Sequence, residues 1–212
     1  MADAAAYGWE VSLGDFNWGH FKAKLEAELD RLEGVYQRLL DGSGVDWMKS
    51  RAVVKDAHTV ELADGRSFTA KHILVATGGW PFVPHFPGSE LAITSNEMFH
   101  LDKLPQSLLV VGGGFIACEF AMIMAGLGVK VTQYYRGAQV LRGFDREATD
   151  VVADQMRKAG VDLKCGTNVV SMEKTDGGIL VHGTDGSQVT FDKVMFATGR
   201  KPNTDNLGLE EA

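Results

Sequence analysis

The sequence predicts an α/β protein made of two related nucleotide-binding (Rossmann-like) domains with inserted β-meanders, the first one incomplete. Two observations carry this. A glycine turn stands between an apolar strand and an apolar helix in LLVVGGGFIACEFAMIMAGLGVKVTQYY, which begins at Leu108. The chain also repeats itself: residues 60–81 and 181–202 match at a constant offset of 121, with eight of 22 positions identical.

Taken in order, residues 16–40 place Phe21, Leu25, Leu29, Leu32, Tyr36 and Leu39 on one stripe of an amphipathic helix. Asp15 or Asn17 can cap it, and Gly42 to Gly44 end it. A helix of this kind packs on a parallel sheet, yet only short strands precede Ile73, so the stripe is expected to lack part of its packing surface. Each copy of the repeat then reads as a strand, an Asp-Gly hairpin, a second strand and a buried strand ending in Ala-Thr-Gly. Residues 79–107 hold four of the five prolines and read as a crossover loop with a short helix at 95–101. A strand at 108–111, the turn, a helix, a strand at 129–135 and a helix at 146–159 between Asp145 and Gly160 follow.

The repeat bears on organisation. The second copy is preceded by its glycine turn at Gly112, and the same turn shifted back by 121 would fall before Met1. The chain is therefore expected to start within its first domain.

Composition sets outer bounds. Apolar side chains make up 45% and charged ones 23%, as in an ordinary globular core. The net charge of −7 argues against non-specific nucleic-acid binding, which needs a basic face. Cys118 and Cys165 lie 47 residues apart, in no dithiol or metal-binding spacing, and read as small buried hydrophobes. No basic leader precedes an apolar run at Met1, and the apolar stretch 115–131 is broken by Glu119. A cytoplasmic setting away from membranes is expected.

The glycine turn points to a dinucleotide. Gly112 permits the tight turn, Gly114 lets backbone N–H groups approach a pyrophosphate, and Ala117 lets helix and strand pack closely. An NAD site usually ends its second strand in a carboxylate that grips the ribose hydroxyls. Here Tyr135 stands there, followed by Arg136 and, six residues on, Arg142. Two guanidinium groups can donate forked hydrogen bonds to a 2′-phosphate, favouring NADPH by ~3–6 kcal/mol. The competing reading makes both arginines solvated rim residues.

The phrases HILVATGG, GGGFIACEFA, YYRGAQVLRGFD and ATGRKPNT together resemble the flavin-dependent pyridine nucleotide–disulfide oxidoreductases, and within them the members that reduce glutathione disulfide. The resemblance runs in register over essentially the whole chain, as an internal segment of a longer protein. It implies that NADPH passes a hydride to FAD, which reduces a dithiol, which reduces glutathione disulfide. The implied domains are a partial FAD-binding domain at 1–79, an NADPH-binding domain at 80–202, and the start of a return to the FAD domain at 203–212. For NADPH the resemblance implies Gly112, Gly113, Gly114, Ile116 and Ala117 at the pyrophosphate, and Arg136 and Arg142 at the 2′-phosphate. Phe115 would stand at the nicotinamide pocket, in place of a common tyrosine. Gly199 and Arg200 would close the site.

Glu119 would be the flavin-side ion-pair partner of a lysine lying before Met1; the other reading places it in solvent. Ala52, Ala76, Thr77 and Gly78 would touch FAD. Tyr36 would line the glutathione pocket, or serve simply as core.

Departures matter as well. The chain has no C-x-x-x-x-C dithiol, no first glycine turn, and no dimer domain, although the parent is implied to be a homodimer. None of its residues would be catalytic, and it is expected to be inactive alone. Two alternatives stay open: another family member (lipoamide dehydrogenase, mercuric reductase or a transhydrogenase), or a vestigial NADPH-binding protein without turnover. A short-chain dehydrogenase is excluded, since no tyrosine has lysine four residues on.

Overall fold

The computed structural model describes residues 4–10 and 14–212. The long helix α1 spans Trp18–Gly42. Asn17, not Asp15, caps it: the Asn17 side chain accepts from the His20 N–H at 2.8 Å. Its end is closed by Ser43 and by Gly44 at φ +68°. No residue of α1 is buried, and Phe21, Leu29, Leu32, Tyr36 and Leu39 all face solvent. The apolar stripe is real, and it goes largely uncovered among the described residues.

Strands β1 (Ala52–Asp56), β2 (Thr59–Leu62) and β3 (Ser67–Thr69) form an antiparallel meander in that order. The expected buried strand at the end of the first repeat copy does not form: residues 72–78 have no strand, and Leu74 is 90% exposed. This corrects the sequence expectation. A buried parallel strand needs a hydrogen-bonding neighbour, and none of the described strands lies beside this segment.

β4 (Gly79–Pro81) and the capped helix α2 (Ser95–Met98) interrupt the crossover segment. In α2 the Thr94 and Glu97 side chains complete a capping box. The main layer follows: β5 (Ser107–Val111), α3 (Phe115–Gly126), β6 (Lys130–Tyr135), α4 (Arg146–Lys158), β7 (Asp162–Cys165), a meander β8 (Val169–Thr175), β9 (Gly178–Gly183) and β10 (Gln188–Phe191), then β11 (Lys193–Phe196). The parallel sheet runs β11–β5–β6–β7, so the order reverses beside β5, where open α/β sheets place their ligands.

Alternation along β5 divides the core. Leu108 and Val110 pack with Ala117, Ala121, Met124, Ala153 and Met156 of the helices. Leu109 and Val111 pack with Tyr134, Val194 and Phe196, and with Met172 and Val181 of the meander. Both faces of the sheet are thus covered, which explains its continuous apolar strands.

β12 (Arg200–Pro202) pairs antiparallel with β4: Arg200 lies opposite Pro81, Lys201 opposite Trp80 and Pro202 opposite Gly79. The two strands are equivalent segments of the repeat, paired with Trp80 and its equivalent Lys201 at the centre, so the two copies meet about a local two-fold. The hydrogen bonds obey it. Thr77 Oγ1 donates to Asn203 O and Thr198 Oγ1 to Phe82 O, each at 2.7 Å. Asn203 N donates to Gly78 O and Phe82 N to Gly199 O, each at 2.9 Å. Beyond β12, the Val54 N–H of β1 donates to Leu207 O at 2.7 Å, which ties the last segment to the first meander.

Candidate functional site

The glycine turn connects the end of β5 to α3. Gly112 has φ +140°, and a Cβ there would lie 2.3 Å from Ala197 O and 3.3 Å from the Ala117 Cβ. Only glycine satisfies both constraints. Ala117 is fully buried beneath the turn, as close strand–helix packing requires. Gly114 caps α3 without any side chain supplying an acceptor, so the first N–H groups of the helix open outward.

A cleft of about 750 Å³ lies at this point. The turn Gly112, Gly113, Gly114, Phe115 and Ile116 forms one wall, and Arg136 and Arg142 join the lining. Residues 196–200 form the other wall, Gly199 and Arg200 included, and the crossover segment supplies Phe82, His85 and Phe86. Nine of the eleven residues expected at a dinucleotide therefore line one cavity; Ala117 is packed under it and Glu119 stands apart.

The arginine loop is latched to the turn. Leu141 N donates to Gly113 O at 2.6 Å, and Leu141 adopts φ +57°, a strained setting for a non-glycine residue, directly before Arg142. Arg136 and Arg142 are exposed, and among the described residues neither has an ion-pair partner. Arg200 is engaged: its guanidinium donates to Gly79 O. The Tyr135 ring lies across Gly113 and Gly137, where a Cβ would come within 2.4 and 2.6 Å of it respectively. An aromatic ring, not a carboxylate, therefore occupies the strand end.

Other expected residues fall differently. Glu119 is not buried within an apolar helix: it faces solvent on an open α3 stripe with Phe115 and Ile123, and has no ion-pair partner among the described residues. Its carboxylate is therefore open to water in this chain, as the solvent-facing reading has it. Ala52 is half-buried in β1, while Ala76, Thr77 and Gly78 lie on an exposed loop, with Gly78 at φ +72°. Tyr36 is 66% exposed beside Leu32, Leu40 and Trp47 in a hollow of about 470 Å³, which overturns the reading of it as core.

Cys118 is buried and Cys165 half-buried, and burial pushes both thiols up. Among the described residues no group of three His, Cys, Asp or Glu side chains could hold a metal, and no helix is long and apolar enough to cross a membrane.

Sequence reasoning missed three contributors to the site: Gly137, Leu141 and Gln133, which is buried in β6 beneath the turn. Only Gln133 left a signal, as a polar residue in the apolar run VTQYY.

A parallel sheet with a glycine turn at its reversal point and a cleft above it is an arrangement at which α/β folds commonly bind nucleotides. The chain matches the family described as pyridine nucleotide-disulphide oxidoreductase over residues 5–212, and it belongs to that family. It is 45% identical over 208 residues to a glutathione reductase of Burkholderia cepacia, covering 98% of this chain and 46% of that protein. It is 41% identical to a glutathione reductase of Nostoc sp., covering 99% and 46%. The HOCl-induced flavoprotein disulfide reductase RclA of Escherichia coli superposes with a TM-score of 0.85 at 26% identity, over 93% of this chain and 46% of that one. The chain thus spans about half the length of the curated relatives it matches.

Proposed function

We propose that this chain is the NADPH-binding segment of a flavoenzyme that reduces glutathione disulfide, and that it has no turnover by itself. The carrying observation is the cleft at Gly112, lined by a helix N-terminus and by two arginines without ion-pair partners among the described residues. The residues fit the dinucleotide. Gly112, Gly113, Gly114, Ile116 and Ala117 would seat the pyrophosphate, Arg136 and Arg142 the 2′-phosphate, and Gly199 and Arg200 the facing side. Phe115, 58% exposed, and Glu119 would border the nicotinamide. Bound NADPH would supply the hydride. Tyr135 argues against an NAD-dependent family member, because its ring leaves no place for a ribose-binding carboxylate.

The FAD set fits less well. Ala52 sits within a strand and Ala76, Thr77 and Gly78 on an open loop, with the Thr77 hydroxyl already donating to Asn203 O. The chain by itself offers FAD an edge rather than an enclosed site. Tyr36 would meet glutathione disulfide in the longer enzyme, and the domain divisions would fall after residues 79 and 202.

The test is retention on a 2′,5′-ADP resin with elution by NADPH, followed by an assay of NADPH oxidation with glutathione disulfide. Retention, a colourless protein and no oxidation are expected. A chain that flows through would overturn the NADPH assignment, and a yellow or active chain would overturn the claim of inactivity.

A further inference from the structure

Gln133 is fully buried in the middle of β6, where apolar neighbours would fill the same space at no desolvation cost. Its Nε2 donates to Gly112 O at 2.9 Å and lies 3.7 Å from Cys118 Sγ. Its Oε1 has no partner among the described residues. A buried, half-satisfied amide calls for a compensating role.

We propose that Gln133 is a positioning residue that aims the Gly113 N–H at the pyrophosphate of the dinucleotide. No peptide among the described residues is cis, and in a trans peptide the C=O and N–H point opposite ways. Drawing Gly112 O down onto the buried amide turns the Gly113 N–H up, toward the cleft. The peptides on either side are held by the backbone, Gly112 N donating to Tyr134 O and Leu141 N to Gly113 O, and Gln133 supplies the bond to the peptide between them. The contact with Cys118 extends the same amide to the first turn of α3, so β6, the glycine turn and the helix are joined at one buried group.

This rests on the dinucleotide reading of the cleft, and the experiment separates the two. Gln133→Met keeps volume and removes the donor. Dissociation constants for NADPH, NADH and 2′-AMP (which carries the 2′-phosphate but no pyrophosphate) are measured by calorimetry or NMR titration. Both dinucleotides are expected to weaken by about tenfold in the same ratio, with 2′-AMP unchanged within about twofold. Gln133→Leu, measured beside it, is expected to behave alike and carries the test if the Met variant does not fold. Unchanged dinucleotide affinity, or equal loss of all three ligands, would overturn the role for Gln133. An unaltered chain that binds neither dinucleotide would overturn the site itself.

Discussion

Arg136 and Arg142 are the residues on which ligand choice turns. Both side chains are exposed and have no ion-pair partner among the described residues, yet the strained Leu141 backbone and its bond to Gly113 O hold their loop against the glycine turn. A charge-assisted hydrogen bond contributes ~1.5–3 kcal/mol. Replacing Arg142 by Ala should therefore weaken NADPH by roughly 10- to 100-fold while leaving NADH unchanged, a comparison that fluorescence titration can make. Equal loss for both nucleotides would place Arg142 away from the 2′-phosphate.

The arginine pair and the glycines were legible in the sequence because each serves a local demand: charge after a strand, or backbone freedom in a turn. Gln133 and Leu141 were not, since one acts through burial and the other through a φ angle that leaves no mark on residue type. Of the two readings of Glu119, exposure in this chain goes with the solvent-facing one, a choice the sequence could not make because apolar neighbours do not tell which face of a helix meets solvent.

At the level of elements, the repeat provides a controlled comparison. Residues 73–75 and 194–196 occupy equivalent positions and are both apolar, yet the first stays irregular and the second forms the buried strand β11. The difference is the neighbour. β11 pairs with β5 in register from Lys193 opposite Leu108 to Phe196 opposite Val111, whereas 73–75 find no strand. Met195 is accordingly 0% exposed and its equivalent Leu74 is 90% exposed.

Met195→Ala should cost ~2–5 kcal/mol and Leu74→Ala less than about 0.5 kcal/mol, read from urea midpoints of the two variants. Comparable losses would mean that residues 73–75 are packed in solution. Where a turn and a strand–helix alternation specify an element locally, as from β5 to β6, the sequence anticipated it to within about a residue. Where an element needs a distant partner, pattern alone was insufficient.

Over the whole molecule, two features coexist. One is a complete parallel sheet with both faces covered and a cleft at its reversal point. The other is a set of apolar groups in the open: the α1 stripe, Leu74 and Val75, and Phe115 with Ile123. The β4–β12 pairing joins them, built from equivalent residues of the two repeat copies about a local two-fold. The chain spans about half the length of its relatives, and the cleft proposed for NADPH is lined by residues of this chain.

The central claim is that the cleft at Gly112 selects NADPH through Arg136 and Arg142. Isothermal titration of the unaltered chain with NADPH and with NADH tests it most directly. NADPH is predicted to bind roughly a hundredfold or more tighter, the lower bound set by two charged contacts to the 2′-phosphate. Equal affinities for the two nucleotides would contradict it.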